Sequence, residues 1–387
     1  MANRRFIHYN VWASMRFFLF ISVVQSILLF GHWFLYRTLV PFFGVTHPAK
    51  LWTLRVAIGL LSISLIGSSF FSFRYSNLLV RTFYTASVSW LGICYLLVLA
   101  SLLAWIVYGL TKLFHLPMDR RTLIIVLFGI AFMGSLYGFI NAGVIRIKTV
   151  SLPLPNLPST WEGKTAIWIS DTHLGQVRNH RFAQHLAGMI QDLRPDIVFI
   201  GGDLYDGGEA MDLNHMIEPL SRLSPPYGTY FITGNHEEFY DNTPYLQAVR
   251  RAGIRVLYNE KVEIDGLQII GVGYRDSRNQ QQFRAILQKM EINRQKPSLL
   301  LKHVPFALEI ARDQGISAQL SGHTHQGQVF LFRFITSKIY QGYDYGLKRF
   351  GDLLVYTSSG AGTWGPPMRL DTKPEIVVIK FVMKGRN

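Results

Sequence analysis

Ser321-Gly322-His323-Thr324-His325-Gln326-Gly327 is the stretch on which the reading of this chain turns. It follows an apolar run, residues 316–320, that reads as a buried strand. Residues i and i+2 of an extended segment point the same way, so His323 and His325 reach into one site from a single strand end. Neutral imidazoles are good ligands for first-row divalent metals. Glycine on either side lets the backbone approach closely. The pair alone also fits two histidines in a surface turn, so the rest of the chain has to decide.

Outward from this stretch the pattern alternates. Strands are expected over 165–170, 196–200, 229–233, 254–258, 261–264, 267–272 and 298–301, and then over 329–332, 353–358 and 376–381. Helices are expected over 181–193, 211–223, 244–252, 280–290 and 307–313. This order points to an α/β domain, two sheets covered by helices. Polar residues collect where the strands end: Asp171 and His173, then Asp203 and Asp206, then Asn235, His236 and Glu237, then His303, and finally His323 and His325. Any one of these fits a turn or an N-cap. Five successive strand ends together indicate a site, because ligands of such folds gather at the carboxyl ends of strands.

The first half is different in kind. Of 387 residues, 49% are hydrophobic and only 16% charged, and the deficit of charge lies at one end. Residues 1–150 hold 13 Lys and Arg against one acid, Asp119, whereas residues 151–387 hold 26 against 23. Basic excess in the apolar half suits anionic lipid headgroups rather than nucleic acid. Four runs free of charge, 17–36, 56–73, 83–111 and 122–145, are each near or above the ~20 residues that cross a bilayer core. Trp12, Trp33, Tyr36, Trp52, Tyr75, Tyr84, Trp105 and Tyr108 lie near their ends, where aromatic belts form. The first run is too long for a signal-peptide core, and Gly31-His32-Trp33-Phe34 offers no small-x-small cleavage site.

Four spans put both termini on one side. With the N-terminus inside, Arg4, Arg5, Arg16, Arg74, Arg81, Arg146 and Lys148 face the cytoplasm, against Arg37, Lys50, Arg55, Lys112, Arg120 and Arg121 opposite. Seven against six is a narrow positive-inside vote for a cytoplasmic second half. The single cysteine, Cys94, agrees with a reducing compartment. His32, Gln25 and Asn141 either line a substrate path or bond to neighbouring helices, Asn141 having the further reading of a residue at an interface, and Gly129, Gly134, Gly138 and Ala142 suit close helix packing. No carboxylate lies inside a span, which speaks against an ion-coupled transporter. The expected division is a four-span region over 1–145, a stiff proline-rich connector over 146–160, and a catalytic domain over 161–387, which begins almost at the membrane surface if 144–150 already forms a strand.

The ordered set Asp-x-His, Gly-Asp-x-x-Asp, Gly-Asn-His-Glu, His, Gly-His-x-His resembles that of the calcineurin-like metallophosphoesterases, with every position filled across about residues 160–385. The ending Tyr345-Gly346-Leu347 and the run from Ser359 to Arg369 look like the membrane-associated branch, which includes transmembrane UDP-2,3-diacylglucosamine hydrolases of lipid A synthesis. The resemblance implies an αββα sandwich and two metals sharing a carboxylate. Asp171, His173, Asp203 and His325 would hold one; Asp203, Asn235, His303 and His323 would hold the other. It implies His236 as the group that steadies phosphoryl oxygens or protonates the leaving oxygen, with Asp206 paired to it. Mixed N/O ligation favours Mn2+, with Fe or Zn2+ admissible.

Other residues keep two readings. Glu237 supports the site or is a solvated turn residue. Arg178 and Arg181 meet a substrate phosphate or are solvated helix-end charges; His47, His180, His185 and His215 are expected at surfaces or interfaces. Residues 335–350, with Ile335, Ile339, Tyr340, Tyr343, Tyr345 and Phe350 among Lys338, Lys348 and Arg349, either dip into a membrane interface or pack as an ordinary loop. The expected protein is a multi-pass, inner-membrane phosphoesterase acting on a lipid-linked phosphodiester or pyrophosphate. Its rivals are a tethered phosphodiesterase or phosphomonoesterase for soluble substrates and a non-catalytic membrane sensor.

Overall fold

A computed structural model describes residues 2–208, 211–239 and 241–385. The side chains of residues 2–18 and 20 lie outside the described ones, and with them the expected flank charges Arg4, Arg5 and Arg16 and the belt residue Trp12. The chain divides into two units, residues 1–137 and 138–387.

The first unit is helical: α1 (Ala2–Phe43), α2 (Pro48–Arg74), α3 (Leu78–Leu113) and most of α4 (Arg120–Gly143). Among the described residues, four helical stretches are long and apolar enough to cross a membrane: Ile21–Phe43, Pro48–Arg74, Leu78–Leu113 and Arg120–Gly143. Large apolar side chains such as Leu60, Phe70 and Ile130 are exposed, while Ser62, Ser68, Ser87 and Ala104 are buried. That inversion of a soluble core is what a lipid solvent asks for. α1 runs on past Arg37, where the charge-free run ended, because an arginine interrupts hydropathy without interrupting helix. Polar groups inside the unit find each other: Trp90 Nε1 donates to His32 Nε2 at 2.9 Å, Trp105 Nε1 to Thr38 Oγ1 at 3.0 Å, and Gln25 Nε2 to the Ser62 carbonyl at 3.1 Å.

The second unit contains β1 (Arg146–Leu154), β2 (Thr165–Ile169), α5 (His180–Asp192), β3 (Ile197–Ile200), α6 (Leu213–Ser221), β4 (Thr229–Phe231), α7 (Asn235–Glu238), α8 (Thr243–Arg251) and β5 (Arg255–Val256). There follow β6 (Glu260–Ile264), β7 (Leu267–Gly271), α9 (Tyr274–Arg278), α10 (Gln280–Lys289), β8 (Ser298–Leu301), α11 (Leu308–Asp313), β9 (Ala318–Ser321), α12 (Phe332–Ile339), β10 (Gly346–Phe350), β11 (Leu353–Thr357) and β12 (Glu375–Met383). Two six-stranded sheets result, ordered β1-β12-β2-β3-β4-β5 and β10-β11-β9-β8-β7-β6. Alternate residues of β2 serve opposite faces: Ala166 and Trp168 enter a core shared with Leu299, Leu301 and Tyr356 of the other sheet, while Ile167 and Ile169 pack under Leu186, Ile190 and Leu220 of the covering helices. α10 and α11 cover the far face of the second sheet through Phe283, Leu287 and Ile310. The layers are helix, sheet, sheet, helix, as expected from the motif order.

Three expectations change. Residues 146–154 form an edge strand paired in parallel with β12, from Arg146 opposite Glu375 to Leu154 opposite Met383, so the strand admitted for 144–150 runs on into the proline-rich stretch taken as connector. Pro153 is tolerated there because an edge strand has one side free of ladder bonds. Residues 329–332 are not a strand. Leu331 has φ 75° and α12 begins at Phe332, since the metal-motif loop turns sharply before them. The glycine series in α4 is divided: a Cβ on Gly129 would meet open space, one on Gly134 would lie 3.7 Å from Leu96 of α3, and one on Gly138 would strike Met368 of the second unit's own loop.

Candidate metal centre

Each candidate residue sits just past a strand end. Asp171 and His173 follow β2, Asp203 and Asp206 follow β3, Asn235, His236 and Glu237 open α7 after β4, His303 follows β8, and His323 and His325 follow β9. Asp171, His173, Asp203, His323 and His325 all have φ between 48° and 69°, a region L-residues rarely occupy. Five such residues at one site mean that the surrounding fold holds strained backbone to aim these side chains inward. Glycines make room for the packing. A Cβ on Gly234 would collide with Asp203 Oδ1, and one on Gly322 with Ser170 Oγ and Asp171 Oδ2.

The side chains converge in two overlapping sets. The ligand atoms of Asp171, His173 and His325 lie within 4.8 Å of one another, as do those of Asp203, His303 and His323. His173 Nε2 and His325 Nε2 are 3.1 Å apart. His303 Nε2 is 3.2 Å from Asp203 Oδ2 and 4.0 Å from Asp171 Oδ1. A third set, His173, Asp203 and His236, brings His236 alongside.

The donors fit divalent cations. The Gly201 carbonyl lies 2.7 Å from His303 Nδ1 and can take only a proton from it. In the neutral ring, the form that binds metal, that leaves a lone pair on Nε2 facing the Asp203 carboxylate, and this buried atom has no hydrogen-bond partner. Asn235 Oδ1 is likewise buried and unpartnered. Asp171 and Asp203 are fully buried, and the bases within ion-pair distance of them are histidines. Buried anionic oxygens facing lone pairs are costly unless a cation lies between them. The titration reflects the same pressure. Burial pulls the His303 imidazole down, but Asp203 and Asp171 carry it up to about 9. Burial and His303 push His323 down to about 3. Burial raises Asp203, yet His303 and His236 take it well below the usual carboxylate range. Against burial, the carboxylates raise His173 and His303, whereas burial lowers His323 and His325 and keeps those two neutral, which is the donor state that metal binding needs.

Further groups hold this arrangement. Glu237 is buried and accepts from the Asp203, Tyr205 and Gly234 amides at 3.0, 3.1 and 2.7 Å. It is therefore a strut of the site and not a solvated turn residue. Burial and the nearby Asp203 raise its carboxyl to about 7. His236 corrects an expectation. Its Nδ1 faces the Asp206 main-chain oxygen at 2.9 Å, while the Asp206 carboxylate lies 3.8 Å from it and only 3.3 Å from His173 Nδ1. A carbonyl can only accept, so His236 Nδ1 carries the proton and Nε2 is the nitrogen left for substrate. The Asp206 carboxylate thus lies nearer to His173 Nδ1, a buried atom without a hydrogen-bond partner, than to His236.

Sequence reasoning missed Arg369, although it closes the run that carried the branch resemblance. Its guanidinium is fully buried, donates to the Ser359 and Gly362 carbonyls at 2.7 Å each, and lies 3.3 Å from His325 Nδ1. It also missed the rings beside the centre: Tyr274 by His303, Tyr340 by His323 and Phe239 by His236, at 6.1, 6.2 and 5.0 Å between ring centres. Arg178 is half-buried and donates to the Ala142 carbonyl at 2.7 Å, closing the end of α4 rather than standing as a solvated helix-end charge. Asn141 donates to the Arg369 and Thr372 carbonyls at 3.0 and 2.8 Å rather than to another span. His180 and His215 stack on each other at 4.2 Å.

Residues 165–327 match the family model described as calcineurin-like phosphoesterase. A metallophosphoesterase of Helicobacter pylori is 30% identical over 286 residues, 72% of this chain and 76% of that protein. One from Aquifex aeolicus is 31% identical over 264 residues, 66% of this chain and 99% of its own length. A transmembrane protein with metallophosphoesterase domain from Bos taurus is 29% identical over 400 residues, 91% of this chain and 86% of that one. Similarity thus reaches past the α/β domain into the membrane region.

Proposed function

The chain belongs to the calcineurin-like phosphoesterase family, and on that premise we propose that it hydrolyses a phosphodiester or pyrophosphate carried on a membrane lipid. It is a multi-pass membrane protein with a metal-dependent phosphoesterase domain and His/Asp clusters suited to two divalent ions. The observation that carries the reading is the meeting of those clusters at Asp203 in a chain that also holds four candidate spans.

Asp171, His173, Asp203 and His325 would hold one cation; Asp203, Asn235, His303 and His323 would hold the other. Mn2+ suits this N/O set best. Bound there, the pair supplies charge for the phosphoryl oxygens and activates the attacking water. Asp203 serves both sets, and Glu237 fixes its backbone. His236, its ring anchored on the Asp206 carbonyl through Nδ1–H, presents Nε2 to the phosphate and in its imidazolium form delivers the Nε2 proton to the leaving oxygen, becoming neutral. One span suffices for an anchor, so four argue for handling of acyl chains. UDP-2,3-diacylglucosamine is the first substrate to try, with the domain on the cytoplasmic side of an inner membrane as the basic flanks favour.

The test is mass-spectrometric product analysis after incubating detergent-purified protein and Mn2+ with UDP-2,3-diacylglucosamine, beside an Asp203→Ala control. Release of UMP and diacylglucosamine 1-phosphate by the wild type alone is expected. Hydrolysis of an aryl phosphodiester without cleavage of that lipid would leave the dinuclear chemistry and refute the substrate. Equal kcat/KM for diacylated substrate and deacylated headgroup would favour the rival, a tethered enzyme for soluble esters.

A further inference from the structure

α12 is turned the wrong way for a soluble protein. A surface helix normally lays its apolar stripe on the core. α5 obeys: Ala183, Leu186, Ala187 and Ile190 are its buried residues. α12 has no buried residue at all. Phe334, Ile335 and Ile339, which share one helix face with Leu331, are 60%, 53% and 65% exposed, and Thr336 and Ser337 take the half-buried side. Trp364, in the neighbouring loop, is 59% exposed. The helix contains no acid, and Lys338, Lys348 and Arg349 lie exposed in the same segment. An apolar face edged by basic residues is the composition of an interfacial helix.

Its attachments say what lies opposite. Gln328, just ahead of α12, accepts from the Leu370 amide and the Thr372 hydroxyl at 3.0 and 2.9 Å through its main-chain oxygen. Its side chain holds Trp364 by both amide atoms, at 2.9 Å each. Arg333 pairs with Asp371 at 2.7 Å. That same loop is bonded to the end of α4: the Arg369 amide donates to the Gly138 carbonyl at 2.9 Å, and Asn141 donates to the carbonyls of Arg369 and Thr372. Gly138 and Asn141 are the closing turns of a helix long and apolar enough to cross a membrane. α12 is thus tied, through one short loop, to a segment that emerges from lipid. At its other end Tyr340 rests on His323.

We infer that α12 and Trp364 form a lipid-contacting surface, with Phe334, Ile335 and Ile339 seated at the boundary between headgroups and acyl chains of an anionic leaflet. The contact is beyond the catalytic reading and does not depend on which ester is cleaved. It places the His323–His325 loop and Tyr340 immediately behind a lipid-embedded helix.

The test uses the full chain with Cys94→Ser, carrying either Ile339→Cys or, on exposed α10, Gln288→Cys, each labelled with bimane. The proteins are reconstituted in phosphatidylcholine/phosphatidylglycerol vesicles with and without doxyl-labelled lipid. Doxyl lipid should quench the label at 339 about twofold or more and leave that at 288 unchanged, as expected for shallow burial of the apolar face. No quenching at 339, or equal quenching at both sites, overturns the proposal. So does excimer emission from pyrene at 339 in detergent, which would make a second copy of the chain the occupant. None of these readings involves turnover, so failure here is separate from failure of the lipid-substrate assignment.

Discussion

Both units bury polar side chains, and they do so by opposite means. In the helical unit the buried polar groups are neutral and close on one another: indole to imidazole between Trp90 and His32, indole to hydroxyl between Trp105 and Thr38. In the α/β unit two buried carboxylates face imidazole lone pairs, on strained backbone, with Asn235 Oδ1 left unpartnered. The first arrangement is nearly complete by itself, with the Ser101 hydroxyl its one unpartnered buried side-chain group among the described residues, and serves packing. The second is complete only with added positive charge, and that incompleteness marks the working site.

The contrast breaks most sharply at the shared carboxylate. Asp203→Ala should remove activity on an aryl phosphodiester by more than about 10³-fold, the scale of losing a principal electrostatic group, and lower bound metal by elemental analysis. Full metal content with intact activity would dissolve the difference between the units. His236→Ala should cost about 10²-fold or more in kcat while metal content stays at the wild-type level, because its role is protonic. Loss of metal in that variant would move His236 into the ligand set.

Removing the cations tests the incompleteness directly. At free Mn2+ a hundredfold above Kd, binding to the native state alone stabilises by about 2.7 kcal/mol, so chelation should lower the unfolding temperature of the α/β unit. The far-UV signal of the helical unit should not change in the same step. Glu237→Gln should reduce activity about tenfold or more through the backbone amides it holds, with partial recovery in excess Mn2+. The smallest effect is expected in the other unit. His32→Ala should cost about 0.6 kcal/mol, the usual worth of a hydrogen bond between spans, and leave hydrolysis of a soluble ester unchanged.

Much of this was legible along the chain. The four spans, the alternation of strands and helices and the order of the motifs follow from hydropathy and from period, which are local properties. So does the joining of His323 and His325 at one strand end. The role of Glu237 was not legible. In Asn235-His236-Glu237 a glutamate reads as a turn residue until Asp203 and Tyr205, more than 30 positions away, bring it their amides. The partners of Arg178 and Asn141 were not legible for the same reason, since Ala142 and the Arg369–Thr372 loop are far off in sequence. Residues 151–154 looked like linker because prolines near an apolar run disguise an edge strand.

By itself, then, the sequence determined a four-span membrane region, an α/β domain and a metal-binding donor set, because composition and spacing suffice when each signal lies within one element. Only the tertiary structure decided which nitrogen of His236 is free, that Asp206 turns its carboxylate to His173, that Arg369 backs His325, and that α12 shows its apolar face outward. Each of those depends on which strands lie side by side in the two sheets, and burial and hydrogen bonding between distant segments are set by that order alone.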